Sequence, residues 1–171
     1  EYYGRHFGKL NWASVSQANP NQNFYENDGV KKDRNVFVKW ETNASEKWKI
    51  YVDFQLRWVN YKSNGYVAGP SLININESHN FFNPKAGLTY KLNNFNNLYF
   101  SYSKGNKEPN KSDYENGSPL PEELDDFELG WRLKSKKINF NSNLFYMNYK
   151  NQLVLTGELD DVGSPIRTNS G

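Results

Sequence analysis

The sequence contains no cysteine, one methionine and two histidines among its 171 residues. Without cysteine there is no disulfide framework, no thiolate nucleophile and no zinc–thiolate site. Neither His6 nor His79 stands at a metal-ligand spacing from another donor, so no metal and no cofactor is expected. No run of about 18 apolar residues occurs, which excludes a transmembrane helix. The opening EYYGRHFGKLNW lacks the basic-then-apolar order of a signal peptide. Charge of one sign is missing too. The 21 basic and 19 acidic residues are mixed along the chain and leave a net charge of +2, with no patch for nucleic acid. No P-loop, nucleophile elbow or dinucleotide fingerprint appears, and no catalytic residue is expected.

Aromatic residues are what the chain has in excess. They make up 16% of it, against only 36% hydrophobic residues in all. A mean hydropathy of −0.92 would suit a disordered chain, but disordered chains have few aromatics. The apolar surface must therefore be concentrated. In KWKIYVDFQLRWVN (47–60), Trp48, Ile50, Val52, Phe54, Leu56 and Trp58 alternate with Lys47, Lys49, Tyr51, Asp53, Gln55 and Arg57. Strand side chains point to opposite faces in turn, so one face here is apolar and the other polar. The same period recurs near 36–42, 82–92, 97–104, 126–134 and 137–150, and no comparable segment carries a helical stripe. The chain is all-β, with six strands and the start of a seventh expected in an antiparallel meander.

The expected connections run short, long, short, long: 42–46, 93–97 and 134–137 are tight, while 61–80, 104–124 and the tail from Asn151 are long and polar. Asn64-Gly65 and Asn116-Gly117 are expected to mark turns inside the long loops. Compact soluble domains seldom carry structureless loops beyond about 12–15 residues, whereas outer-membrane barrels alternate short periplasmic turns with long outer loops. Ten steps from Trp48 to Trp58 span roughly 33 Å and, tilted by about 45°, roughly 23 Å, close to the ~25 Å apolar band of such a barrel. The expected fold is an antiparallel up-and-down transmembrane β-barrel, present as a partial barrel of about six to seven strands. The Trp48 row then faces outer-membrane lipid. A soluble β-sandwich binding module for a ligand or carbohydrate is the alternative, since alternation also suits a sheet with one face in a core.

FFNPKAGLTYKL, NLYFSYSKGNKEPNKSDY, DFELGWRLK and NLFYMNYKNQLVLTGELDDVGSPIRTN resemble the C-terminal part of the barrel of TonB-dependent outer-membrane receptors, and GRHFG at 4–8 fits a loop of that group. The resemblance implies a 22-stranded barrel around an N-terminal plug, located in the cell outer membrane. It also implies import of a scarce nutrient of the siderophore-iron, cobalamin or glycan class, driven by the TonB complex acting on a box near the receptor's N-terminus. Plug and box are not found, so residues 1–171 are expected to be a fragment of the barrel domain, open at two edges until other strands close it.

Candidate ligand contacts follow from position. Arg57 and Arg132 fall on the polar, lumen-side rows, where with Lys85 and Glu128 they are expected to form a ladder of ion pairs. Lys107, Glu108, Asn110 and Tyr114 lie in a Pro-containing loop above a strand, and restrained loops on rigid scaffolds often bind. The acidic pairs Glu122-Glu123, Asp125-Asp126 and Asp160-Asp161 are expected to be solvated loop charge.

Overall fold

The computed structural model describes residues 2–9, 23–67, 71–160 and 163–170. The period-2 pattern becomes one seven-stranded antiparallel meander in chain order, from β1 (Tyr2–Lys9) and β2 (Asn23–Asn43) through β3 (Trp48–Val67) and β4 (Ser71–Lys91) to β5 (Asn96–Lys107), β6 (Glu122–Lys134) and β7 (Asn139–Lys150). A short helix, α1 (Lys111–Glu115), lies between β5 and β6. The chain then continues into a separate hairpin of β8 (Gln152–Leu159) and β9 (Pro165–Ser170).

The register carries each alternating row across the sheet. Trp40 pairs with Val52, Val52 with Ala86, Ala86 with Tyr102, Tyr102 with Phe127, and Phe127 with Tyr146. Directly paired residues share a face, so six strands contribute to one apolar surface. Cross-strand ring contacts knit it together: Trp48–Tyr90 at 4.6 Å, Tyr102–Phe127 at 4.9 Å and Trp131–Phe140 at 5.5 Å between centroids. Yet it is no core. Trp48, Phe54, Leu56 and Trp58 are all exposed, and so are Phe82, Phe100 and Leu129. No second sheet lies on the Trp48 row among the described residues, and the β-sandwich alternative is set aside. The buried apolar residues Val59, Ile73, Ile75 and Phe81 all belong to the opposite, polar face, Phe81 opposite Arg57 and the other three beyond Trp58, the last residue of the apolar row.

One end of the sheet is built from a single turn design used three times. Ser45 Oγ accepts hydrogen bonds from the N–H groups of Lys47 and Trp48, at 3.3 and 3.2 Å. Asn93 Oδ1 does the same for Phe95 and Asn96 at 2.9 and 3.0 Å, and Ser135 Oγ for Lys137 and Ile138 at 3.3 and 3.1 Å. These side chains satisfy turn donors that the ladder cannot reach.

The other end departs from the sequence expectation. The stretch 61–80 is not a long loop: β3 continues to Val67 and β4 begins at Ser71. Asn64-Gly65 lies within β3, where Gly65 adopts φ 135°, and GRHFG forms most of β1 rather than a loop. Strands of 20 and 21 residues reach roughly 66 Å, far more than a bilayer requires. Glu122-Glu123 and Asp125-Asp126 belong to β6 rather than to loops, Glu123 pairing with Lys104 at 2.7 Å. Asp161 and the His6 side chain lie outside the described residues.

Two glycines on the polar face make room for tyrosines. Tyr51 pairs with Gly87 and Tyr99 with Gly130, each ring lying over the glycine of the neighbouring strand. A Cβ at Gly130 would stand 2.0 Å from the Tyr99 ring, which is held by the Arg132 guanidinium 4.1 Å from its centroid. Gly130→Ala in the full-length protein is therefore expected to destabilise the folded barrel by about 1–2 kcal/mol, despite alanine's better strand propensity. Unfolding midpoints in urea measure this, and Tyr99→Ala on the same background should recover part of the loss.

Candidate functional site

The distal halves of β2, β3 and β4 present Lys31, Asp33, Arg57, Tyr61 and His79 on the polar face. Arg57 sits diagonally to Asp33, because its direct partner on β2 is Asn35. Its Nε donates to Asp33 Oδ1 at 3.1 Å and its Nη2 to Asp33 Oδ2 at 2.6 Å. The same guanidinium also forks onto Glu108, Nη1 to Oε2 at 2.8 Å and Nη2 to Oε1 at 2.9 Å. Lys31 Nζ completes the cluster, 2.6 Å from Glu108 Oε1. Two cations and two carboxylates cancel. Planar bidentate pairing is the strongest arrangement available to Arg and carboxylate.

Glu108 is the first residue after β5, so this cluster fixes where the segment 108–121 leaves the sheet. The segment folds onto the polar face. Asp113 Oδ2 accepts from the Asn110 backbone N–H at 2.7 Å and starts α1, while Asp113 Oδ1 pairs with Arg167 of β9 at 2.7 Å. The Asp113 side chain is only 2% exposed, so that pairing is what compensates its loss of water. Tyr114 OH lies 3.3 Å from His79 Nε2, and its ring is 6.5 Å from that of Tyr61. His79 in turn stacks on Phe81. Asn169 of β9 receives the Leu120 N–H at 2.8 Å and donates to the Leu120 carbonyl at 3.0 Å. The segment is thus held at its start by β2 and β3, at its middle by β4 and β9, and at its end by β9.

Burial opposes ionisation of Glu108, but the hydrogen bonds from Lys31 and Arg57 outweigh it and hold its pKa down at about 2. Burial pushes the Tyr114 phenol up to about 12, with Glu77 and Asp113 adding to the effect, so it remains a neutral hydroxyl.

Among the sequence candidates, Arg57, Glu108, Asn110 and Tyr114 are brought together here. Lys107 is not: it pairs with Glu122 at 3.4 Å and is 61% exposed. Arg132 lies lower on the polar face, over Tyr99, where Tyr51, Lys85, Tyr99, Asp126, Glu128 and Arg132 border a concavity of about 440 Å³. The expected ladder of ion pairs is confined to Arg57. Arg132 makes a cation–π contact instead, and Glu128 accepts from Tyr99 OH at 3.5 Å and from Asn143 Nδ2 at 3.1 Å. Lys31, Asp33, His79, Asp113, Arg167 and Asn169 were not foreseen. The β2–β3 register, once known, would have placed Asp33 diagonal to Arg57. Among the described residues no three metal-ligating side chains converge.

An open meander with one apolar, exposed face and one polar, loop-covered face is a wall segment of an up-and-down barrel. The chain belongs to the family described as TonB dependent receptor-like, beta-barrel, which it matches over residues 1–171. Solved structures agree on the fold. The alcaligin outer-membrane receptor FauA from Bordetella pertussis is 19% identical, with a TM-score of 0.60 over 84% of this chain and 26% of that one. The ferric-catecholate import receptor Fiu from E. coli K12 is 14% identical, with a TM-score of 0.62 over 90% of this chain and 26% of that one. The FrpB iron transporter from Neisseria meningitidis is 15% identical, with a TM-score of 0.56 over 85% of this chain and 22% of that one. The chain therefore spans about a quarter of the length of these proteins. No curated protein matches it in sequence.

The pairing of Glu108 makes the hold on segment 108–121 depend on acid. A released Glu108 titrates near 4.5, so its contribution is complete above that pH and is lost as the pH falls toward 2. Amide hydrogen exchange on the full-length protein should show protection of 110–115 constant from about pH 7 to 5 and falling below about 4.5, after correction for intrinsic rates. Glu108→Gln should weaken protection already at pH 7 and remove that step.

Proposed function

We propose that residues 1–171 form part of the barrel domain of an outer-membrane receptor that imports a scarce nutrient, a ferric siderophore being preferred over cobalamin or a glycan. The observation that carries this reading is the family match over the whole chain. The preference for an iron chelate rests on the neighbours, whose own descriptions name alcaligin, a ferric catecholate and iron. On this reading the protein is a transporter rather than an enzyme. Its plug and TonB box, and the strands that close the barrel, lie elsewhere in the polypeptide, and the TonB complex supplies the energy.

Trp48, Ile50, Val52, Phe54, Leu56 and Trp58 face lipid, and the polar face lines the lumen. Support comes from exposure. An apolar row left open in water is costly, and hydrocarbon removes that cost. Arg57, Glu108, Asn110 and Tyr114 then stand at the outer mouth, where the folded-in segment 108–121 narrows the path of a ligand. Lys107 lies at its rim and Arg132 deeper in the lumen. Most of the cations here are already engaged by carboxylates, so an anionic ligand reaching Arg57 or Lys31 has to compete with Asp33 and Glu108.

Two experiments test the reading. Radiolabelled ferric-siderophore uptake in an iron-starved host strain lacking its own receptors should require both this protein and TonB. Uptake of cobalamin or a glycan in place of iron would keep the receptor and change the substrate class, whereas recovery of the protein in the soluble fraction without detergent would reject the receptor itself. For orientation, a thiol-specific, membrane-impermeant label on intact cells should modify Ser118→Cys and spare Ala44→Cys, since the turns at 44–47, 92–95 and 135–138 share the periplasmic end. The opposite labelling would invert the topology.

A further inference from the structure

The two Asn-Gly pairs of the chain end up in opposite surroundings. Glycine after asparagine favours loss of the side-chain amide, because no Cβ hinders the glycine nitrogen as it turns back toward the asparagine Cγ. Asn64-Gly65 lies inside β3 with a strand on either side: Asn64 is opposite Asp28 and Asn74, and Gly65 is opposite Asn27 and Ile73. A Cβ at Gly65 would stand 2.3 Å from the Glu26 carbonyl oxygen and 2.6 Å from Asn27 Cα. The backbone has no room there to turn.

Asn116-Gly117 directly follows α1, and Asn116, Gly117 and Ser118 are all exposed. Beyond its chain neighbours, a Cβ at Gly117 would meet nothing within 4 Å. The Gly117 N–H donates to no backbone carbonyl among the described residues. Asn116 is also the C-cap of α1, where its Nδ2 donates to the Ser112 carbonyl at 3.3 Å. No basic side chain stands in the last turn of that helix, and Glu115 is paired with Lys111 at 3.2 Å.

We propose that Asn116-Gly117 is a site of spontaneous deamidation, which converts the C-cap of α1 from a hydrogen-bond donor into a carboxylate. The Gly117 backbone nitrogen gives up its proton to solvent and bonds to Asn116 Cγ. The Cγ–Nδ2 bond breaks, and the amide nitrogen leaves as ammonia. Water then opens the cyclic imide, at Cγ to give aspartate or at the main-chain carbonyl carbon to give isoaspartate. One water is consumed for each ammonia released. The new carboxylate sets an acceptor against the Ser112 carbonyl, at a helix end whose free carbonyls already carry partial negative charge. Isoaspartate also lengthens the main chain between α1 and Leu120, whose N–H and carbonyl are both held by Asn169. Either product loosens α1, and with it the contacts of Asp113 and Tyr114 that seat the segment 108–121 on the sheet.

The full-length protein in detergent is incubated in heavy-oxygen water at mildly alkaline pH, digested in ordinary water and read by peptide mass spectrometry. The expected result is uptake of one heavy oxygen at Asn116 at least about tenfold faster than at Asn64, since a linkage held in a ladder reacts only from an opened state. Unfolding in urea should bring the two rates together. Gly117→Ala, whose Cβ has open space, should slow the reaction at Asn116 about tenfold with the fold intact. The consequence is read separately: Asn116→Asp should lower amide-exchange protection across 111–115 by about two- to fivefold. Equal rates at Asn64 and Asn116 in the folded protein, an unslowed Gly117→Ala, or unchanged protection in Asn116→Asp would each overturn the proposal.

Discussion

Every feature of this molecule depends on the hydrogen-bond ladder between sequence-adjacent strands. Hydrocarbon offers no partner for a backbone N–H or C=O, so a strand can cross it only with both neighbours in place. Once the ladder fixes register, it also fixes which residues lie side by side. A slip of one residue would turn the Trp48 row to the polar face and set Asp53 and Arg57 among the apolar residues of the neighbouring strands. The matched lines of aromatic and aliphatic residues from β2 to β7 are thus one register carried through five ladders, and the three Ser and Asn turns hold the β2–β3, β4–β5 and β6–β7 hairpins to it.

The same ladder explains why the distal region is built with the opposite polarity. Beyond Trp58 the face of the Trp48 row carries Asn60, Lys62 and Asn64, while Val59, Ile73 and Ile75 are buried on the opposite face, the one that receives the segment 108–121. Within the band the apolar row is the exposed one. Above it the apolar side chains are buried, as in any protein in water. The change falls between Arg57 and Val59, and the ion cluster around Arg57 lies at that border. There one guanidinium joins β2, β3 and the start of the connection after β5, so that connection is tied to the sheet by charge where apolar packing changes sides.

This inversion also accounts for what could and could not be seen in the sequence. Strand centres and short turns were legible because alternation is strict inside the band and Ser45, Asn93 and Ser135 sit where a turn needs an acceptor. The distal halves of β3 and β4 read as a loop in the sequence because the apolar phase shifts there: Phe82, Pro84 and Leu88 occupy even positions, Ile73 and Ile75 odd ones. A pattern followed along one face simply stops at the shift. Arg57, Glu108, Asn110 and Tyr114 were recognisable as polar groups on a lumen row or a restrained loop. Lys31, Asp33, Asp113 and Arg167 were not, because what makes them part of the site is pairing between segments far apart in the chain.

The central claim is that the Trp48 row lies in hydrocarbon and the neighbouring row in water. Paired single substitutions in the full-length protein at the middle of β3 test it most directly, with refolding into bilayer vesicles followed in urea. Phe54→Arg should lower folding stability by about 2–4 kcal/mol, the cost of a cation near the bilayer midplane, while Gln55→Arg should be tolerated within about 1 kcal/mol. Equal effects at the two positions, or a larger loss at Gln55, would contradict the assignment of faces and with it the barrel wall.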